Sequence, residues 1–210
     1  MQESGMQDSA AGIGAAHGMA QLSRSALVEA ILPIVAEDPS ISLSQLAKRL
    51  GVGRTTLYRH FTDRKTLLSA VASTGAHQYL AAALRADPGR GTGAEAIERL
   101  CTELFEVPDV LTLLFADDPL LTDAELEATA AELGARKPTE DGDPFEIAIA
   151  RGQTDGSLDA SVPVAWAAMF VLMTIASGHL YAVTAGTSRT DALALVLKAL
   201  RRTLGTAAEA

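Results

Sequence analysis

Ser42-Leu-Ser-Gln-Leu-Ala-Lys-Arg-Leu-Gly-Val-Gly-Arg-Thr-Thr-Leu-Tyr-Arg-His-Phe-Thr-Asp-Arg-Lys-Thr-Leu-Leu68 is the stretch whose reading decides the fold. It has the pattern of a helix-turn-helix: a short helix, a glycine-centred turn, then a second helix rich in hydrogen-bonding side chains. Ser42 and Gln45 are spaced as a capping box, so the first helix is expected to open at Leu43. Leu46, Ala47 and Leu50 make its apolar stripe, and Ala47 is small enough to let a second helix cross closely. Gly51 supplies the left-handed residue that ends the helix, and Val52 plugs the turn. The second helix is expected from about Arg54 to Phe61. Leu57 and Phe61, four apart, point inward, which leaves Arg54, Thr55, Thr56, Tyr58, Arg59 and His60 facing out.

Charge narrows what that polar face meets. The chain has a formal net charge of −9. Residues 40–65 nevertheless hold Lys48, Arg49, Arg54, Arg59, Arg64 and Lys65 against Asp63 alone. A basic island in an acidic chain focuses on a polyanion and does not adhere to it everywhere. A solvated helix face is the plain alternative for a charge run. Coincidence with the helix-turn-helix favours DNA.

On these residues the chain resembles the tetracycline-repressor-type (TetR) family of transcriptional regulators. Leu57-Tyr58-x-His60-Phe61 followed by a basic residue at 64 is the specific part. The resemblance implies that Arg54, Thr55 and Tyr58 meet base edges, and that Thr56, Arg59, His60 and Arg64 meet phosphates. Lys65, part of the same island, completes the candidate DNA-binding set. It also implies a homodimer on a palindromic operator and a helical C-terminal ligand-binding and dimerisation domain. Three departures stand out. Gly53 replaces the usual hydroxyl or acidic residue at the start of the second helix. Arg64 stands where Lys is commoner. Pro33 falls inside the expected first helix, where it removes a hydrogen bond and should kink it.

At 210 residues the chain exceeds one small domain, and a helical unit of about 50 residues leaves ample length for a second core. Ala and Leu dominate and aromatics are few, so the expected fold class is all-α. Residues 1–22 are expected to be a mobile arm, 23–68 the DNA-binding domain and 69–210 the regulatory and dimerisation domain. The arm has no Lys or Arg, which argues against a role in the minor groove. The first helix should run from about Ser25 to Glu37, and Asp38-Pro39 stops it. Asp63 can cap a fourth helix to about Ala86, whose tilt would set the position of the reading head. Thr92 with Glu95 is another capping box, for a helix to Val107. A shorter helix fits after Pro108, and Thr122 and Asp143 open two more. The Lys137–Gly142 stretch reads as a polar loop.

Val164 to Thr184 contains no Asp, Glu, Lys or Arg and is apolar all round. That length could span a bilayer, but Pro163, Thr174, Ser177, Gly178 and His179 dilute it and no positive cluster flanks its start. Burial on both faces is therefore expected. Ser188 with Asp191 opens a last helix with Leu193, Val196, Leu197, Leu200 and Leu204 on one face. Two such helices predict a four-helix seam between two subunits, with those five residues at the dimer interface.

For chemistry the sequence offers little. His17, His60, His77 and His179 are scattered and there is one cysteine, so neither a metal site nor a disulfide is expected. Cys101 falls on an apolar stripe and reads as core. No nucleophile elbow, phosphate loop or dinucleotide fingerprint is present, so no cofactor and no enzymatic activity are expected. Trp166, Met169, Phe170, Met173 and Tyr181, with Phe105 and Phe115, could line a small-molecule cavity, with His77 or His179 orienting a polar atom. Core or dimer packing is the alternative for each. No secretory leader opens the sequence, which leads to a cytoplasmic expectation. The combined reading is a ligand-responsive repressor whose effector is a small, mainly apolar molecule. Two alternatives remain, a protein-interaction module and a helical-scaffold enzyme.

Overall fold

The computed structural model describes residues 23–133 and 143–206. Among these are ten α-helices and no strand. In chain order they are α1 (Arg24–Glu37), α2 (Leu43–Leu50), α3 (Arg54–His60), α4 (Arg64–Arg85) and α5 (Gly93–Phe105), then α6 (Pro108–Phe115), α7 (Asp123–Glu132), α8 (Pro144–Asp155), α9 (Val164–Ala185) and α10 (Arg189–Leu204). The chain divides into two compact units, one ending at Thr74 and one beginning at Gly75, so the division falls within α4. The expected arm, 1–22, and the expected loop, 137–142, lie outside the described residues.

In the first unit local chemistry sets each helix boundary. Ser23 Oγ accepts from the Ala26 N–H at 3.2 Å and opens α1. The helix runs through Pro33, which lies on its exposed side, while Leu27, Val28, Ile31, Leu32 and Val35 are buried. Ser42 and Gln45 form a reciprocal capping box, at 3.3 Å and 2.9 Å. Gly51 takes a φ of 67°, and the Val52 N–H donates to the Ala47 carbonyl at 3.0 Å. Asp63 Oδ1 accepts from the Thr66 N–H at 2.7 Å and caps α4.

The second unit is a helical cluster around Ile97, Leu100, Cys101, Leu104, Phe145, Ile149, Val171, Ile175, Val196 and Leu200. Helix α9 packs on α10, α8 and α6, and α5 packs on α8, α10 and α6. Burial pushes the Cys101 thiol up to about 12, so it is an inert part of this core. Two crossings depend on glycine. Gly93 faces the backbone of Gly152, and Gly178 faces Val196 Cγ2 and Phe105 Cζ, with no room for a Cβ at either place. The α5 N-terminus is also held across the unit, Gly93 N–H by Asp155 Oδ2 at 2.8 Å and Ala94 N–H by Ser157 Oγ at 3.1 Å.

The predicted dimer seam is corrected here. Val196, Leu200 and Leu204 are buried within the unit, at 2%, 4% and 3% exposure, and Leu193 and Leu197 are packed against the same core. Val196, Leu200 and Leu204 are thus taken up by the core of their own chain, while Leu193 and Leu197 stay half-buried at its edge. The apolar surface left over lies on α9 instead. That helix is buried only along Ala167, Val171, Ile175, Gly178, His179 and Ala182, so the expectation of burial on both faces also fails within one chain.

The glycine crossings give a stability ordering. Gly93→Ala drives a Cβ into rigid backbone and should cost about 1–3 kcal/mol or more. Gly51→Ala meets nothing within 4 Å and should cost only the left-handed penalty, about 1–2 kcal/mol. Urea unfolding followed by circular dichroism checks the order.

Candidate DNA-binding surface and regulatory core

Helix α3 has seven residues and is too short to hold itself in water. Leu57 and Phe61, both fully buried, fasten it to the first unit. Arg24 lies over the Phe61 ring at 5.3 Å and closes the outer side of that anchor. With the inward face fixed, Arg54, Thr55, Tyr58 and Arg59 stand exposed, and Arg64 and Lys65 are exposed just beyond. Thr56 and His60 are half-buried, and His60 Nε2 is buried with no hydrogen-bond partner. The position expected to meet phosphate through His60 therefore presents only the rest of the ring. Gly53 adopts the N-cap conformation but supplies no side-chain bond, as its lack of a side chain requires.

Part of the basic island is engaged inside the unit. Arg49 pairs with Glu37, and the Arg64 guanidinium donates to the Pro39 carbonyl. An arginine has five N–H donors, so Arg64 keeps others to offer. Asp38 and Asp63 stay negatively charged beside the island, each engaged by local hydrogen bonds. Hydrogen bonds from Ser40 and from Thr66 respectively hold each carboxyl below its usual range.

The candidate ligand-wall residues separate into two groups. Phe105 is buried against Gly178, and Phe115 and Phe170 pack on the core. Trp166 and Met169 instead point outward, 50% and 64% exposed, and this corrects their placement in a cavity wall. Trp166 stacks on Phe170 with centroids 5.2 Å apart and planes 6° from parallel. The crevice between Ile149, Leu158, Val162, Ala167 and Leu204 has no room inside it for a water molecule and touches none of the expected wall aromatics.

Sequence reasoning missed two features. Trp166, Met169, Met173, Ala176, Leu180 and Val183 recur at alternating three- and four-residue steps, and all but the half-buried Ala176 are exposed. That spacing is the signal of a helix–helix seam, hidden in the sequence because the opposite face is equally apolar. The helix is long and apolar enough to cross a membrane, yet its other face is packed in the second unit. Thr112 is the second omission: its Oγ1 lies 3.0 Å from His179 Nε2 and donates to the Pro108 carbonyl at 3.1 Å. Since the hydroxyl has one proton, His179 is the donor in that pair. His77 is half-buried on α4.

Burial holds His179 below the usual histidine pKa, against a smaller upward pull from Asp109. The unfolded chain therefore takes up a proton first as pH falls below about 6.5. Stability should decline from that point downward through the folded pKa, and His179→Gln should flatten this part of the profile. Thermal melts between pH 7.5 and 5.5 measure it.

Residues 39–71 match the model of the family described as bacterial regulatory proteins, tetR family. The chain is 30% identical over 111 residues to the HTH-type transcriptional repressor LfrR of Mycolicibacterium smegmatis, a match spanning 53% of this chain and 59% of LfrR. The crystal structure of LfrR in complex with proflavine superposes with a TM-score of 0.63 at 25% identity, covering 87% of this chain and 97% of LfrR. The ketosteroid transcriptional regulator KstR2 of Mycobacterium tuberculosis shares the fold, with a TM-score of 0.63 at 14% identity over 89% of this chain and 96% of its own. All of these relatives are named as transcriptional regulators. In its helix-turn-helix segment the chain thus matches the tetR family of bacterial regulatory proteins, and its helical fold is similar to that of the TetR-like regulator LfrR.

Proposed function

We propose that the protein is a cytoplasmic transcriptional repressor that binds a palindromic operator as a homodimer and releases it when a small, mainly apolar molecule binds the second unit. The observation that carries this is the two-sided α3. Leu57 and Phe61 are sealed inside, while Arg54, Thr55, Tyr58 and Arg59 stand exposed within a basic island. Arg54, Thr55 and Tyr58 are assigned to base edges, and Thr56, Arg59, His60, Arg64 and Lys65 to the backbone. LfrR is a similar repressor and has been crystallised with a small molecule, which favours the ligand-responsive reading. The effector site is assigned to Phe105, Phe115 and Phe170 with His179, and with His77 on the helix leading to the first unit. Such a ligand acts by preferring the conformation with the wrong head spacing. A tenfold loss of occupancy needs only about 1.4 kcal/mol of differential binding.

The α9 stripe is assigned to the partner subunit. Trp166, Met169, Met173, Leu180 and Val183 of α9 and Leu195 of α10 are all exposed large apolar side chains, and exposed apolar patches favour an interaction surface. Two-fold symmetry then requires half-sites about 34 Å apart, or a multiple of it.

If roughly 6–10 phosphates are neutralised, operator affinity should fall about 10³–10⁵-fold between 50 and 200 mM salt. Arg54→Ala and Tyr58→Ala should each cost about 1–3 kcal/mol and relax base preference, whereas Lys65→Ala should weaken all sequences alike. Fluorescence anisotropy on matched and scrambled duplexes separates these, and unchanged selectivity in the Arg54/Tyr58 double variant refutes the assignment. For the dimer, Met173→Glu with Leu180→Glu should give a folded monomer by sedimentation. Leu200→Glu should unfold the protein instead, because an unpaired buried charge costs several kcal/mol.

A further inference from the structure

We infer that Arg24, at the start of α1, is a further phosphate-binding residue of the DNA surface, standing beside the C-terminal end of α3; this rests on the DNA-binding function proposed above. The basic island of residues 40–65 does not contain it, but the fold of the first unit brings it there. Its guanidinium carbon lies 5.3 Å from the centre of the Phe61 ring, and Phe61 is the residue that closes α3. The Phe61 ring in turn stands 6.4 Å from the His60 ring, centre to centre. Arg59 and His60 are in the last turn of α3, and Arg64 and Lys65 open α4 just after it. Arg24 joins the cations gathered at that end of α3, although it comes from a different helix.

Its charge is uncommitted. Arg24 is exposed. The ion pairs among the described residues are Arg49–Glu37, Arg85–Glu103 and Arg201–Glu98, so Arg24 is in none of them. Of the two acids on α1, Glu37 is taken by Arg49, and Glu29, five residues on, does not share its helix face. Helix stability does not account for the charge either. A cation in the first turn faces the positive end of the helix dipole, and that turn of α1 has no acidic residue to balance it. A guanidinium over an aromatic ring still directs its N–H donors outward from its edge, so stacking does not compete with binding an oxyanion.

A helix seated in a major groove about 12 Å wide has a phosphate strand along each wall. Side chains on its outward face meet the bases, and cations beside its ends meet the walls. Arg24 has the second kind of position. The ring beneath it also restrains a long side chain before DNA arrives, which lowers the entropy lost when the contact forms.

The test uses the full-length protein and a duplex that the unmodified chain selects from a random pool. Arg24→Gln should lower affinity about five- to tenfold per bound copy near 0.1 M salt, and should reduce the slope of log affinity against log salt by about 0.9 per copy. Base preference should not change, since phosphates carry no sequence information. Arg24→Lys, which keeps the charge, should keep the slope. Arg90→Gln, which removes one exposed positive charge from the second unit, should leave affinity and slope alone. An unchanged slope in Arg24→Gln overturns the assignment. So does an equal loss of slope in Arg90→Gln, which would make net charge the cause. Lower affinity at constant slope with relaxed base preference overturns it too, because Arg24 would then act only by steadying Phe61 and α3. If Arg24→Gln does not fold by circular dichroism, Arg24→Met, which keeps a cover over the ring without the charge, is read by the same criteria. Failure of both to fold makes Arg24 a structural brace and overturns the proposal. An unmodified chain that selects no duplex overturns the function reading itself, whereas selection with an unchanged slope in Arg24→Gln overturns only the role of Arg24.

Discussion

The burial of Leu57 and Phe61 is the constraint from which the rest of the account follows. A helix of seven residues gains too few hydrogen bonds to offset its nucleation cost, and Gly53 gives it no side-chain cap. It exists because two side chains on one face are removed from water. That same burial fixes the rotation of the helix about its axis. Once Leu57 and Phe61 point in, Arg54, Thr55, Tyr58 and Arg59 have only one direction left to point. The capping box at Ser42 and the left-handed Gly51 serve this arrangement by fixing where the preceding helix begins and ends.

The second unit solves a different problem. Its core closes through backbone-close crossings at Gly93–Gly152 and Gly178–Val196, which bring α5 onto α8 and α9 onto α10. Close crossing buries one face of α9 completely and leaves the other as an apolar stripe. The buried polar pair of Thr112 and His179 joins α6 to α9 inside this packing, with the histidine neutral where burial disfavours its charge. The chain thus carries one surface suited to a polyanion and one suited to another apolar helix.

Local signals made most of the fold legible. Ser42 with Gln45, Thr92 with Glu95, Asp63, Asp143 and Ser188 each open a helix at the position their spacing predicts. The basic island and the outward residues of α3 were readable for the same reason, since they depend on a period of 3.6 and nearby charges. What escaped were choices made by tertiary packing. Val196, Leu200 and Leu204 form a good apolar stripe, but a stripe does not say whether its partner is in the same chain. Helix α9 is apolar on every side, so its sequence could not reveal that Val171 and Ile175 face in while Met169 and Met173 face out. The turning-in of His60 Nε2 depends on contacts that no local window contains.

The central claim is that two copies of α3 read one DNA site. Selection of bound sequences from a random duplex pool by the purified full-length protein tests it most directly. The account predicts enrichment of a palindrome whose half-sites lie about 34 Å apart, or a multiple of it, lost when Arg54 and Tyr58 are both replaced by alanine. A pool that stays random, or one that enriches a single asymmetric site for a monomeric protein, would contradict it.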